Sequence, residues 1–273
     1  YLFLVLPLFF VACSDDDDNG NGGKFEGKLD PSVVFTGGQP KALGDVVISY
    51  NADGLVTEMK SPSEKVAFQY NDKLKTKATE GLDYDVFMSY EDSYDKYEFY
   101  MKLGSNGFVT TCTQVDMNSK DKEIETWKFK YNSDGQLSEM FRSEGENEVT
   151  TITYKDGNIV AVKMVSDEAG EGFDAKISYT SETHKEGIDN KGCIMLFDNT
   201  FGIDMDEMEY AYFAGILGKA TKKLPLKLTE VEIEDGKEYT DIYDFEWTLN
   251  EKGLPSKLEA KEEGYTNTFE FKW

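Results

Sequence analysis

One short phrase recurs along this chain and limits what it can become: an alternating segment that ends on an aromatic residue, followed by a tight turn built on Asp-Gly or a relative of it. Tyr50-Asn51-Ala52-Asp53-Gly54-Leu55 is echoed by Tyr131-Asn132-Ser133-Asp134-Gly135-Gln136-Leu137. Variants stand at Tyr70-Asn71-Asp72-Lys73-Leu74, Tyr154-Lys155-Asp156-Gly157-Asn158-Ile159 and Asn250-Glu251-Lys252-Gly253-Leu254. Such turns supply the positive φ that tight hairpins need. Between them the period is two. Val66, Phe68 and Tyr70 alternate with Ala67 and Gln69; Trp127, Phe129 and Tyr131 with Lys128 and Lys130; Phe269, Phe271 and Trp273 with Glu270 and Lys272. Tyr243, Phe245, Trp247 and Leu249 alternate with Asp244, Glu246 and Thr248 in the same way. Each segment reads as a half-buried strand with one apolar and one wet face.

Tight turns leave too little chain for crossovers, so neighbouring strands pair in chain order. The expected fold is mainly β: a large, curved antiparallel meander sheet over 45–179 and 226–273, open or partly closed like a barrel. The turn tyrosines could offer a row of glycan-stacking platforms. Cross-strand packing is the simpler role for most of them.

The pattern breaks over 180–225, read as an irregular and helical insertion. Within it, 204–217 is expected to form the one good helix. Asp204 can cap it with Glu207 three residues on, and Met205, Met208, Tyr212, Phe213, Ile216 and Leu217 form an apolar stripe. Gly218 suits its end and Pro225 blocks continuation. A sheet rich in aromatics and poor in aliphatics cannot fill its own concavity. The helix is therefore expected to lie against the aromatic face, with any pocket between insertion and sheet, lined by strand aromatics.

Residues 1–12, YLFLVLPLFFVA, are uncharged and apolar. They are too short to span a membrane, which takes about 20 residues, but have the length of a signal-peptide core. A charged start and an initiator Met are missing, so the signal is expected to begin upstream of Tyr1. Phe10-Val11-Ala12-Cys13 resembles a loose lipobox, which implies cleavage before Cys13 and lipid on its sulfur. Two acyl chains give stable anchoring. Ser14, Asp15, Asp16, Asp17 and Asp18 are similar to the acidic export tag of surface lipoproteins in Bacteroidota-type bacteria. Asp15, Asp17, Asn19, Gly20 and Glu26 also fit an EF-hand spacing, but a run of Asp meets it by chance and no entering helix can precede it. Residues 13–28 thus read as anchor, tag and Gly/Asn tether, and 29–273 as a single β domain.

The wider set, namely lipobox, acidic tag, Tyr-Asp-Gly hairpins, the stretch Gly215 to Ala220 and the closing Gly253-Leu254-Pro255, resembles one family of uncharacterised lipoproteins of gut anaerobes, described as a domain of unknown function with a porin-like fold. The resemblance covers essentially all of the chain after residue 40. It implies a broad, curved, barrel-like sheet and no particular activity. A true membrane barrel is disfavoured, because the strands look short against the ~9–11 residues a membrane strand needs and a lipid anchor would be redundant.

The chemistry legible in the residues is sparse. A net charge of −24 opposes binding to nucleic acid and to anionic lipid surfaces. His184 is the sole histidine, in the irregular segment. No nucleophile triad, phosphate loop, metal-ligand cluster or cofactor motif is legible, and the 53 acidic residues make chance carboxylate pairs uninformative. Cys112 and Cys193 read as free thiols or a disulfide, the former preferred. Lys219, Lys222 and Lys223 cluster after the helix. They suit its C-terminal dipole, or contact with an anionic partner. The leading expectation is a non-enzymatic, surface-exposed lipoprotein acting as a binding or scaffold module, its ligand a glycan or envelope protein. An envelope hydrolase and a periplasmic carrier of an apolar molecule are the alternatives. Convergent carboxylates of perturbed pKa in a pocket would mark the enzyme.

Overall fold

The computed structural model describes residues 25, 27–70, 83–120, 122–143, 147–168, 170–234 and 236–273. Cys13 and the acidic tag lie outside the described residues. The strands are β1 (Ala42–Leu43), β2 (Val46–Tyr50), β3 (Val56–Lys60), β4 (Lys65–Tyr70), β5 (Val86–Glu91), β6 (Lys96–Leu103), β7 (Val109–Asp116), β8 (Ile124–Tyr131) and β9 (Leu137–Arg142). They continue as β10 (Glu148–Lys155), β11 (Asn158–Ser166), β12 (Gly172–Ser178), β13 (Ile188–Asp189), β14 (Lys223–Leu224), β15 (Lys227–Glu234), β16 (Lys237–Leu249), β17 (Pro255–Glu262) and β18 (Tyr265–Lys272).

Among the described residues, sixteen strands close an antiparallel barrel. Pairing runs in chain order from β1 to β12, passes from β12 to β15, and continues to β18. The meander is thus as the turns require. The sheet is fully closed, a step beyond the open or partly closed form. The seam is β1, which pairs Ala42 with Lys272 and Leu43 with Phe271 on one side, and Ala42 with Val47 on the other.

The two ends of the barrel differ. At one, here the turn end, the repeated Asn turns share one construction. Asn132 Oδ1 accepts from the backbone N–H of Asp134 and of Gln136, both at 3.0 Å. Asn51 and Asn250 do the same for Asp53 and Leu55, and for Lys252 and Leu254. Gly135 takes φ +80, which a side chain would strain. The aromatic before each turn is tied down as well. Tyr131 Oη donates to the Val109 carbonyl at 2.7 Å, Tyr70 Oη to the Val56 carbonyl at 2.9 Å, and Tyr50 Oη to the Pro40 carbonyl. These tyrosines are packing elements of the wall.

The insertion leaves β12 and returns to β15 at the turn end, its neck closed by the β13–β14 pair. It runs inside the barrel, down to the opposite end and back. Two short helices punctuate it: α1 (Phe197–Phe201), ended by Gly202 at φ +61, and α2 (Glu209–Phe213), entered through a 3-10 turn at Asp206–Met208. The single helix expected over 204–217 is therefore corrected to this broken path. Asp206 sits at φ +42 and Gly215 at φ +78, and neither fits a continuous helix. Asp204 accepts from the Asp206 N–H at 3.2 Å but caps no helix. The physical reason is the lumen. A segment surrounded by wall buries residues on every side, so its apolar stripe need not keep a helical period.

The lumen is filled. Met205, Met208, Ala211, Tyr212, Ile216 and Leu217 from the plug are all 1% exposed or less. Tyr212 is gripped edge-on by Phe35 at 5.6 Å and by Phe197 at 5.4 Å. Each such side chain contributes about 1.5–3 kcal/mol of burial. The outer wall is the opposite. Lys130–Glu139 at 2.7 Å, Lys261–Glu246 at 2.6 Å and Lys65–Glu58 at 3.1 Å are rungs across neighbouring strands. Exposed pairs of this kind add at most about 1 kcal/mol each, so they mark a wetted surface more than they hold the fold. Cys112 is buried and Cys193 half-buried, both as free thiols.

Candidate functional site

At the end opposite the Asn turns, the mouth, the plug tip meets the wall in a field of carboxylates. Arg142, the only arginine in the sequence, closes β9 with its side chain turned inward. Its Nε lies 3.0 Å from Glu125, Nη1 2.8 Å from Asp204 and Nη2 2.8 Å from Asp206. The guanidinium also stands 5.1 Å over the Trp127 ring, where a planar cation is favoured. One side chain thus joins the wall to the plug tip.

Beside this latch, a cavity of about 480 Å³ opens between the plug and β10, β11, β12 and β15. Its lining includes Glu148 and Glu171 from the wall side, Glu230 and Glu232 from β15, and Asp198 and Asp204 from the plug. Gly202 sets the approach of the two layers: a Cβ there would lie 2.2 Å from Phe173 and 2.9 Å from Glu230. Burial pushes Glu230 up to about 7. Burial also raises Asp198, with Asp204 adding to it, and raises Glu148 against the opposing pull of Arg142. Around the latch, burial raises Glu125 to about 7 even beside Arg142, and lifts Glu207 to about 7. Across the mouth, Tyr90 stacks with Tyr97 and with Tyr210, each at 6.2 Å. No group of three or more acidic, His or Cys side chains among the described residues is arranged to hold a metal.

The pocket thus forms where the sequence placed it, between insertion and sheet. Its chemistry differs from the expected aromatic lining: Phe173 is the one aromatic and carboxylates dominate. The reason is a phase inversion in β15. Glu230 pairs with the inward Ala175 and Glu232 with the inward Phe173, so these glutamates face the lumen, out of phase with the apolar Val231 between them. Alternation alone assigns the apolar set to the core. Arg142, Glu125 and Glu230 were not singled out in the sequence. The available signal was the lone arginine in a strand otherwise read as ordinary.

The lysine cluster lies elsewhere, at the turn end. The Lys219 stem packs by Gly135 and the Lys222 stem by Gly157, while Lys223 Nζ pairs with Asp189 at 2.6 Å. These lysines brace the plug against the turns, and the structure does not bring them to the mouth. His184 is exposed near Thr183, 3.1 Å away.

The family profile described as "Domain of unknown function (DUF4595) with porin-like fold" matches residues 48–257. A crystal structure of a porin-like protein from Bacteroides uniformis ATCC 8492 is similar with a TM-score of 0.55 and 19% identity, over 83% of this chain and 89% of that one. A second, from Bacteroides vulgatus ATCC 8482, has a TM-score of 0.60 and 10% identity, over 86% and 99%. At these identities the likeness concerns the fold. No curated protein matches the chain.

Proposed function

The chain belongs to this family of unknown function with porin-like fold, and from that premise we propose that it is an envelope lipoprotein whose plugged barrel is a binding or scaffold module rather than a conduit. The observation that carries the reading is the filled lumen within a charged wall. Plug residues such as Tyr212 and Met208 occupy the space a channel would need. A wall of Lys–Glu rungs is costly in hydrocarbon, at about 2–4 kcal/mol for each Lys at mid-bilayer. Such a wall sits in water, and on this reading the resemblance of residues 10–13 to a lipobox supplies the attachment to the envelope, through lipid on Cys13. An interior already taken up by its own plug also argues against a carrier of apolar molecules.

The ligand is read from the mouth. A cavity lined by carboxylates concentrates cations, and the tyrosine faces across the mouth favour them further. The partner that fits is a glycan or an envelope protein presenting amino or guanidinium groups. Two measurements test this. The purified chain added to planar bilayers should give no conductance, and stable single-channel steps would end the reading. Titration calorimetry should give binding of an amino-bearing oligosaccharide or a Lys-rich peptide that weakens with salt. Equal binding of neutral or acidic counterparts would remove the cationic assignment.

One observation favours a second reading. Glu230 holds its proton to about pH 7 in a cavity shared with other carboxylates, and a protonated acid beside a carboxylate base is the pairing used in glycoside hydrolysis. Release of chromophore from aryl glycosides, lost in Glu230→Gln, would establish the hydrolase. Activity unchanged in that variant would exclude Glu230 as its acid.

A further inference from the structure

The two ends of the barrel differ in charge as well as in construction. The mouth gathers Glu64, Asp92, Asp95, Glu148, Glu207 and Glu232 on its turns, plug tip and strand ends. Exposed lysines at 60, 65, 120, 122 and 237 stand there too, outnumbered by the acids, and its arginine is already engaged by three carboxylates. The turn end carries exposed lysines at 28, 191, 219, 222 and 252. Exposed acids stand among them, at 30, 53, 83, 134, 156, 182, 186, 189 and 251, so this face is mixed where the mouth carries a clear excess of acid. A layer of anionic headgroups repels the turn end least.

A separate observation points the same way. The first described residues dock at the turn end. Phe25 and Leu29 pack over the β6–β7 turn, 3.3 and 3.6 Å from where a Cβ on Gly107 would stand, and Lys28 Nζ lies 2.6 Å from Asp53. The chain from Cys13 to Phe25 is twelve residues, which reach at most about 40 Å when fully extended. Its near end is fixed at this face.

We infer that the turn end is the surface apposed to the lipid headgroup layer, so that the acidic mouth and its cavity point away from the membrane. The inference rests on the lipoprotein reading above and adds a direction to it. It also gives the exposed lysines of the plug neck a partner, the anionic headgroups beneath them.

Energy transfer on vesicles tests the direction. The full lipidated chain, purified from bacterial membranes in a Cys193→Ser background that leaves Cys112 buried, takes a donor dye at one engineered cysteine. Ser133→Cys labels the turn end and Ser93→Cys the mouth; both positions are exposed. Glu251→Cys and Glu263→Cys are a second pair should either of the first misfold. Vesicles contain phosphatidylglycerol, phosphatidylcholine and a headgroup-linked acceptor. Transfer from Ser133→Cys is expected to be several-fold the stronger. Combining Lys191→Ala, Lys219→Ala and Lys222→Ala, or omitting phosphatidylglycerol, should narrow that contrast. Equal or reversed transfer from vesicle-bound protein overturns the orientation and leaves the anchor standing. Failure to associate with vesicles at all removes the anchor, and the orientation with it.

Discussion

The guanidinium of Arg142 on the barrel wall lies 2.8 Å from the carboxylate of Asp206 at the tip of the plug. Through it the returning segment is fixed to β9 at the point farthest from its own neck. Replacing Arg142 by Met leaves Glu125, only 12% exposed, without its counter-ion. Breaking a buried pair in this way costs about 3–5 kcal/mol; solvent around Asp204 places the expected loss at the lower bound. Urea unfolding checks it, and adding Glu125→Gln to Arg142→Met should recover part of the loss. A change within experimental error would mean the plug tip is held by packing alone.

Stability should fall as pH rises from about 5 to 8. Glu125, Glu207 and Glu230 keep their protons in the fold to about 7, and Glu209 to about 8, against an ordinary value of 4.5. In this window the folded chain binds more protons than the unfolded one, so each unit of pH favours unfolding. The contribution is complete below about 4.5 and is lost as pH passes the folded values. Melting temperature measured at pH 5, 6, 7 and 8 should decline, with a shallower slope in Glu209→Gln. A melting temperature that climbs over the same range would contradict the assignment.

Gly202→Ala should destabilise by about 2–3 kcal/mol, combining a left-handed backbone position with overpacking against Phe173. Gly264→Ala is the control. It has φ +83 with nothing within 4 Å of the new Cβ, so it carries the backbone cost alone. Similar losses for the two would show that the wall yields freely around the cavity.

Gln136, 4% exposed, donates from Nε2 to the carbonyls of Gly157 and Ala220 at 3.0 and 2.9 Å. It ties two turns to the outgoing arm of the plug. Gln136→Leu strands the Ala220 carbonyl, at about 1–3 kcal/mol if it stays dry, while the Gly157 carbonyl keeps the Lys222 amide. Hydrogen exchange should quicken first at Lys219 and Lys222, whose amides bond to the carbonyls of Gly135 and Gly157. Unchanged protection at those two amides would argue that the neck is set by β13 and β14.

At the other extreme of the chain, Cys13→Ala should release the protein from the membrane fraction. Replacing Asp15, Asp16, Asp17 and Asp18 by Ala should leave it lipidated but shielded from protease added to whole cells. Membrane retention of the first variant, or shaving of the second as fast as its parent, would count against the anchor and the tag respectively.

Much of the wall was legible because strand alternation and Asn or Asp-Gly turns act locally. Tyr131 and Tyr50 announce a strand end wherever they fall, and sequential pairing follows from turn length. The plug was legible as an interruption, and its apolar residues were found. Its path was not, since a lumen rewards burial in every direction and so erases the helical period that Met205 to Leu217 suggested. Ala42–Leu43 escaped notice because two residues carry no measurable alternation. The acidic chemistry of the cavity and its latch escaped because Glu230 and Arg142 stand where pattern reading expects apolar side chains. Their role exists only once Asp198 and Asp204 arrive from the plug.

The two-residue strand at the seam bears on how fast this protein reaches its native state. Ala42 must find Lys272, a contact that spans nearly the whole described chain. Loop-closure entropy makes such a pairing the slowest to form. Every other wall contact except that between β12 and β15 joins strands consecutive in the chain, so the meander can assemble progressively and remain open along one edge until its last strand arrives. Until closure the unsealed sheet leaves free strand edges exposed to pairing with a second chain. Refolding should therefore show a fast phase for the hairpins and a slow one for closure, with aggregation competing only during the second.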